Sequence, residues 1–166
     1  MTAEDVKRLL KLERLPMEGG YFRETYRSRC RVSSEYLPEG ISSSRLIGTA
    51  IYYMVTPESY SRLHRLPGSE IFHFYLGDPV TLLQLFPDRT STKVTMSNQL
   101  ELGHQLQVIV RGGTWQGCKL CPGGKWALLG TTMSPGFDYA DYEAADREQL
   151  LSQYPDAREE IREYTV

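Results

Sequence analysis

The chain has 166 residues, a formal net charge of −2 and an apolar share of 40%, values typical of one globular domain, here residues 1–166. The slightly acidic balance argues against a nucleic-acid-binding protein, which would carry a basic stripe. No apolar run approaches the roughly 20 residues of a membrane helix. The N-terminus also lacks the basic region of a secretory signal. We therefore expect a soluble, cytoplasmic protein without nucleic-acid or membrane partners.

Both ends of the chain carry helical patterns. Residues 2–14 form a short amphipathic pattern with Thr2 as the N-cap. Residues 146–164 return to a helical pattern, which Pro155 interrupts. The stretch between them, about residues 21–143, is expected to form the β-structured body of the domain.

Short strand candidates separated by turn residues fill that body. A first strand is predicted over residues 21–32, and a serine-rich loop follows. The further strand candidates are residues 46–55, 69–76, 80–86, 93–96, 105–110, 116–119 and 126–133. Short strands at this spacing predict an all-β fold, an antiparallel sandwich or barrel. Strand 46–55 is apolar on both faces, which predicts a covering layer formed by a terminal helix or by a second subunit.

The segment with the most chemical information runs from residue 61 to 77 and reads S-R-L-H-R-L-P-G-S-E-I-F-H-F-Y-L-G. Alternation along a strand places Glu70 and Phe72 on one face, which we expect to be the barrel interior. The same alternation places His73 and Tyr75 on the opposite face. A buried carboxylate needs a metal, a base or an arginine as partner.

His64 is the partner that the sequence offers to Glu70, because a Pro-Gly turn follows it and can bring it back over the strand. A His–Glu pair in a cavity can hold an imidazole in one tautomer for proton abstraction. It can equally be half of a metal site or a structural ion pair. The residues alone leave these three interpretations open.

Cys118 and Cys121 stand in a C-x-x-C spacing, which occurs in redox pairs and in zinc sites. No second Cys or His pair lies near them, and a Pro-Gly-Gly turn follows instead of a helix. This context favours two reduced thiols beside a hairpin.

Five ordered segments together resemble a known family, and they cover nearly the whole chain. They are M-E-G-G-Y-F-R-E-T-Y at 17–26, T-A-I-Y-Y-M-V at 49–55, H-R-L-P-G-S-E-I-F-H-F-Y-L-G-D-P at 64–79, V-I-V-R-G-G-T-W-Q at 108–116 and S-P-G-F-D-Y-A-D-Y-E at 134–143. The chain resembles the cupin superfamily, and within it the fifth cupin-type family of domains of unknown function. The resemblance implies a double-stranded β-helix, the jelly-roll barrel, usually as a homodimer. It also implies kinship in shape to the epimerases of dTDP-4-keto-6-deoxyhexoses.

The resemblance has consequences for the site. Those epimerases use no metal, and their histidine base and its carboxylate correspond to His64 and Glu70. Metal cupins use two histidines and a glutamate, then a last histidine after a P-x-G turn. Here Leu66 stands in place of the second histidine and Trp115 in place of the last, after V-R-G. We therefore expect no metal cofactor, with His64 and Glu70 as the two remaining candidate ligands.

The first functional hypothesis is a metal-free isomerase or epimerase of a carbohydrate or sugar-nucleotide-like keto compound. His64 would abstract a proton next to a carbonyl group, Glu70 would orient it, and Trp115 would stack on the substrate. The residues expected to bind the substrate are Arg23, Tyr53, His73, Tyr75, Gln107, Trp115 and Asp138. A non-catalytic protein that binds a sugar-like small molecule in the barrel is the first alternative. A metal-dependent cupin enzyme is the second.

Overall fold

The computed structural model describes residues 1–165. Within these residues the helices and strands, in chain order, are α1 Ala3–Leu10, β1 Glu13–Arg14, β2 Tyr21–Arg27, β3 Arg31–Val32, β4 Arg45–Leu46, β5 Thr49–Val55, β6 Ser61–Arg65, β7 Glu70–Gly77, β8 Val80–Leu85, β9 Ser91–Met96, β10 Gln107–Val110, β11 Trp115–Leu120, β12 Ala127–Met133, β13 Glu143–Ala144, α2 Arg147–Gln153 and α3 Arg158–Tyr164. An all-β body between short terminal helices is thereby confirmed. No helix in this range has the length and apolar character needed to cross a bilayer.

Two antiparallel sheets enclose the core. One has six strands in the order β1-β2-β5-β12-β7-β10, and the other has five in the order β13-β6-β11-β8-β9. Strands distant in sequence are thus neighbours in each sheet, as a jelly-roll barrel requires. Inward side chains of both sheets form one apolar cluster, with Tyr53, Phe72 and Leu129 from the first and Leu82 and Cys118 from the second.

The C-terminal helices cover the outer face of the five-stranded sheet. Leu150 and Ile161 of α2 and α3 pack with Leu63 and Trp115 of the sheet in a second buried cluster. Full burial of one such aliphatic side chain contributes about 1.5–3 kcal/mol. The predicted break at Pro155 is present as a short turn of 3₁₀ helix between the two helices.

The N-terminal helix covers part of the six-stranded sheet. Thr2 caps it through a capping box with Asp5, as the pattern predicted. Val6 packs against Met54 and Leu128 of the sheet. Strand β5 is therefore covered on both faces as expected, and α1 supplies part of the outer layer.

Several strand boundaries differ from the prediction, and the predicted first strand 21–32 is divided into β2 and β3. The predicted strand 46–55 is divided, because β4 pairs with β3 while β5 pairs with β2 and β12. Gly48 lies at the division, where an added Cβ would approach the carbonyl oxygen of Met133 to 3.2 Å. Strand β6, which carries His64, was not predicted, because its residues alternate less clearly than those of the other strands.

Candidate functional site

The barrel interior contains a buried polar cluster built by strand register. His64 of β6 lies directly opposite Gln116 of β11 in the antiparallel pair. Glu70 opens strand β7 of the facing sheet. The exposed fractions of the three residues are only 1% for His64, 2% for Gln116 and 8% for Glu70. Polar groups this deeply buried must find hydrogen-bond partners within the protein or in a ligand.

Gln116 lies between the two residues that the sequence paired. Its amide nitrogen donates a 2.7 Å hydrogen bond to Glu70 Oε2 and lies 3.4 Å from His64 Nε2. The expectation that Glu70 orients His64 directly is therefore corrected, because the neutral amide of Gln116 connects the two side chains. The Oε1 atom of Gln116 is buried and has no hydrogen-bond partner among residues 1–165.

The orientation of His64 is set by backbone and by stacking. Its Nδ1 lies 2.8 Å from the carbonyl oxygen of Arg62. Because a carbonyl only accepts hydrogen bonds, Nδ1 carries the hydrogen in the neutral ring and Nε2 presents its lone pair to the interior. The ring also stacks on Tyr142, with 5.3 Å between centroids and an interplanar angle of 18°.

Glu18 is a fourth member of the cluster that sequence reasoning missed. It lies in the loop between β1 and β2, where periodicity gives no information. Its Oε1 accepts a 2.6 Å hydrogen bond from the fully buried Ser61 hydroxyl. Its Oε2 lies 3.8 Å from His64 Nε2, so the imidazole has a carboxylate beside it after all.

Arg62 holds the loop that carries Glu18. Its guanidinium donates to the carbonyl oxygens of Pro16 at 2.9 Å, Met17 at 2.7 Å and Glu18 at 3.1 Å. The carbonyl oxygen of the same residue fixes the tautomer of His64. Arg62 therefore positions both the carboxylate and the imidazole.

Replacing Arg62 by methionine should loosen the loop of residues 16–20 while leaving the His64 tautomer unchanged. Charged hydrogen bonds of this kind contribute about 1.5–3 kcal/mol, so amide hydrogen exchange in the loop should rise tenfold or more. The backbone carbonyl that fixes the tautomer survives the substitution, and ¹⁵N NMR of His64 should show it. Arg14→Met on the neighbouring strand is the matched control. Unchanged exchange in the loop would contradict the positioning role.

Burial dominates the acid–base properties of the cluster. Desolvation raises the pKa of Glu70, and the nearby Glu18 charge raises it further. His64 and the hydrogen bonds from Thr131 and Gln116 oppose that rise. Burial also raises the pKa of the Tyr142 and Tyr53 phenols, which therefore remain protonated at neutral pH.

The raised pKa of Glu70 predicts a pH-dependent stability. A carboxyl that holds its proton more tightly in the folded state contributes stability below its ordinary pKa, near 4.5, and loses that contribution as the pH rises through the folded value. Glu70→Gln should therefore unfold at higher urea concentration than the parent at pH 7, with the difference shrinking toward pH 4. Glu101→Gln, at an exposed site, should show no such trend. A Glu70→Gln variant that is less stable than the parent at pH 7 would contradict the assignment.

A cavity of about 70 Å³ lies beside the cluster, with room for several water molecules. Both carboxylates, Glu18 and Glu70, border it. Its other walls are mostly apolar and include Leu15, Phe22, Ile51, Leu66, Met133 and Phe137. An ion pair between Arg27 and Glu24 stands at its edge. A larger surface cleft of about 610 Å³ lies on the other side of Leu66 and is bordered by Tyr142.

Residues 137–143, here called the closing segment, cover this end of the barrel. Asp141 binds the buried Arg45 through two hydrogen bonds of 2.7 and 2.6 Å. Glu143 binds the exposed Arg65. Between these attachments Tyr142 stacks on His64, and its hydroxyl donates to the carbonyl oxygen of Met17 at 3.3 Å. The closing segment and the loop of Glu18 therefore meet above the imidazole.

Two further predicted binding residues lie at or inside this end of the barrel. Tyr53 is buried in the interior, and its hydroxyl donates to the carbonyl oxygen of Gly19 at 2.8 Å. Asp138 begins the turn of the closing segment and accepts a hydrogen bond from the Ala140 amide. Asp138 is thus engaged in local structure, between Phe137 and Tyr139 of the cavity wall.

Four other predicted binding residues lie on the outer face of the six-stranded sheet, which corrects their assignment to a ligand in the barrel. Arg23 lies over the Tyr52 ring at 5.4 Å, and that ring contacts Tyr75 edge to face. His73 stacks on Tyr75 and hydrogen-bonds to Gln107. Alternation along the strands explains this placement, since these residues neighbour inward-facing ones.

The expectation for Trp115 is also corrected. Its side chain is buried between the five-stranded sheet and the C-terminal helices, with Arg65 over its ring at 4.6 Å. It therefore cannot stack on a ligand in the cavity. The next residue along the strand, Gln116, takes the inward position instead.

The donor set does not fit the metal site of metal-dependent cupins. No group of three His, Cys, Asp or Glu side chains within residues 1–165 is arranged to hold a metal ion. The amide group of Gln116 points its hydrogens at Glu70 Oε2 and His64 Nε2, the two atoms that would have to face a cation. Leu66 offers no ligand atom.

The two cysteines of the C-x-x-C spacing are free thiols in different surroundings. Cys118 is fully buried in the core, where desolvation raises its pKa. Cys121 is half-buried and contacts the Thr81 hydroxyl at 3.4 Å.

Two facing antiparallel sheets with a polar cluster at one end of their shared interior define a barrel of the cupin class. The chain belongs to the family described as "Cupin superfamily (DUF985)", which it matches over residues 4–145.

Relatives of known structure share the whole architecture. A "Hypothetical protein from Leishmania major" is 34% identical with a TM-score of 0.89, and the match covers 99% of each chain. Protein SO0799 from Shewanella oneidensis is 26% identical with a TM-score of 0.88, covering 100% of this chain and 98% of that one.

Other matches are partial or distant. "Uncharacterized protein YML079W" of Saccharomyces cerevisiae is 28% identical over 133 residues, which is 75% of this chain and 66% of that protein. Bacillus subtilis oxalate decarboxylase is 14% identical with a TM-score of 0.54, covering 92% of this chain and 37% of that one. The last likeness shows the fold alone.

Proposed function

We propose that this cupin is an isomerase or epimerase that transfers a proton on a small carbohydrate-type keto compound without a metal. One observation carries the proposal: Glu18 and Glu70 border an otherwise mostly apolar cavity, and a neutral-tautomer imidazole lies behind them. Carboxylates and imidazoles are the groups that most often move protons in enzymes. A mostly apolar cavity with a few convergent polar groups is the typical form of a small-molecule site.

His64 is the base in this proposal. Its Nε2 lone pair removes a proton from the carbon next to the substrate carbonyl, and the electron pair moves to the carbonyl oxygen to give an enolate. Glu18, whose Oε2 lies 3.8 Å from Nε2, stabilises the imidazolium that forms. Burial raises the pKa of Glu70, and the protonated form of this carboxyl can donate to the enolate oxygen. Return of the proton from His64 to the neighbouring carbon yields the isomer, while Glu70 takes back the proton of the second hydroxyl. The epimer forms when the proton returns to the opposite face of the same carbon, after the enolate has turned over in the site.

A second candidate is a protein that binds such a ligand without converting it. The observation that favours it is the near-complete burial of His64 beneath Tyr142. A base that the substrate cannot reach would leave only a binding site.

Solvent isotope exchange separates the two candidates. Incubation with ketoses and keto-deoxy sugars in D₂O should add one mass unit to the true substrate, because the abstracted proton is replaced from solvent. The control is His104→Asn, which changes the histidine that hydrogen-bonds to Ser97 outside the cluster and should exchange like the parent. Saturable binding without deuterium uptake would establish the binding protein instead.

We further propose that the protein acts in the cytoplasm as a homodimer. The outer face of the six-stranded sheet exposes Tyr75 by 46%, Leu76 by 49% and Ile109 by 50%. A groove of about 400 Å³ between this face and α1 continues the apolar surface. Contiguous apolar surface of this kind is uncommon on monomers and typical of subunit interfaces.

Native mass spectrometry should show a species of twice the mass of one chain, which is 19.0 kDa. Ile109→Asp should shift the equilibrium toward single chains by more than tenfold, because it places a charge in the interface. The matched control Leu100→Asp changes a leucine that is 58% exposed in the turn between β9 and β10 and does not line the groove, so it should leave the dimer intact. A parent protein that remains a single chain at micromolar concentration would contradict the dimer.

A further inference from the structure

The polar atoms of the cluster that lack a partner are hydrogen-bond acceptors. Gln116 Oε1 is buried without a donor among residues 1–165. Glu18 Oε2 faces His64 Nε2 at 3.8 Å, beyond hydrogen-bond distance. His64 Nε2 is also an acceptor, because Nδ1 donates to the Arg62 carbonyl, and it already has the Gln116 amide nitrogen at 3.4 Å. A ligand that enters this site must therefore bring the hydrogens.

The charged residues that line the cavity also offer acceptors rather than free donors. Its charged lining residues are Glu18, Glu24, Arg27 and Glu70. Arg27 is the one cation among them within the described chain, and Glu24 holds it through two hydrogen bonds of 2.7 and 2.6 Å. The cavity therefore offers two carboxyl groups and no unpaired cation.

The outer cleft offers no unpaired cationic side chain either. Of its charged lining residues, Arg65 is bound by Glu143 and Asp141 is bound by Arg45. The residue that remains is Glu39, an acid. Phosphate and carboxylate groups are normally bound by arginine forks, lysines or unpaired backbone amides. No lysine and no unpaired arginine fork lines the cleft or the cavity within residues 1–165.

We propose that the site binds a small polyol or amino-polyol through its O–H and N–H donors and excludes ligands that carry phosphate or carboxylate. The unpartnered oxygen of Gln116, whose amide nitrogen binds Glu70 at the cavity wall, is the independent sign of a missing donor. The Glu18 and Glu70 carboxyls that border the cavity supply the rest of the acceptor set. The inference rests on the site of the proposed function but not on turnover. It narrows the substrate class, because sugar nucleotides and sugar phosphates are excluded.

Four probes with one three-carbon skeleton test this selectivity: glycerol, 3-amino-1,2-propanediol, glycerol 3-phosphate and glycerate. Their size suits the small cavity. Ligand-observed NMR titrations at pH 7 should give saturable binding of the amine, then of glycerol, each at least tenfold tighter than the two anions. Glu18→Gln should weaken the amine more than glycerol, whereas the exposed control Glu101→Gln should change neither.

Binding of glycerol 3-phosphate or glycerate as tight as that of the amine would overturn the proposal, and so would the absence of saturable binding by all four probes. These outcomes are independent of the isotope-exchange experiment. Donor-selective binding with no deuterium uptake would remove the enzyme and keep this inference. Deuterium uptake into a phosphorylated ketose would support the enzyme and overturn this inference.

Discussion

Replacement of His64 by asparagine should lower the rate of deuterium uptake into the substrate by a factor of about 10² to 10⁴, the contribution of a general base. The side chain remains polar, and its amide can still donate to the Arg62 carbonyl, so the fold should survive. What is lost is the lone pair of Nε2 beside Glu18. Deuterium uptake by mass spectrometry, with circular dichroism as a check on folding, measures the effect directly.

A variant of the neighbouring carboxylate separates the role of the base from the role of the charge beside it. Glu18→Gln removes the charge that stabilises the imidazolium and should reduce the rate less than His64→Asn does. If His64→Asn retained the parental rate, His64 would not be the base, and the proton would have to be moved by Glu18 or Glu70, the two carboxyls that border the cavity.

The sequence predicted the barrel because its strands are short, alternating and separated by turn residues, and each of these signals is local. Glu70 could be placed inside for the same reason, since Phe72 shares its face. The inward position of Gln116 could not be inferred, because it depends on the register between β11 and β6, strands about 50 residues apart. Alternation along β11 does show that either Trp115 or Gln116 faces inward, but not which one.

Glu18 shows a second limit of prediction from the sequence. Its loop has no periodicity, and only the tertiary contact with Ser61 and the clamp by Arg62 bring it to the imidazole. The four residues on the outer face illustrate the opposite error. Polar and aromatic side chains suit a ligand site by composition, but the alternation that places Glu70 inside the barrel places His73 outside it. The residue types alone do not show which face of a sheet a side chain occupies, whereas strand register and packing do.

Breaking the ion pair between Arg45 and Asp141 should be the most destabilising change at this end of the barrel. Arg45 is only 5% exposed, and its guanidinium also donates to the carbonyl oxygens of Ser43 and Ser44. Removal of one member of a buried pair leaves an uncompensated charge and costs about 3–5 kcal/mol. Arg45→Met and Asp141→Asn should therefore each lower the free energy of unfolding by about that amount in urea titrations.

The closing segment supplies its own control, because a second ion pair attaches it at the surface. Glu143→Gln breaks the exposed contact with Arg65 and should cost at most about 1 kcal/mol. The double variant Arg45→Met/Asp141→Asn should lose less than the sum of its parts, since neither charge is then left alone. Equal losses for the buried and the exposed pair would show that Arg45 does not anchor the segment. A selective loss, together with faster amide exchange at Tyr142, would show that this one buried pair holds the aromatic ring over His64.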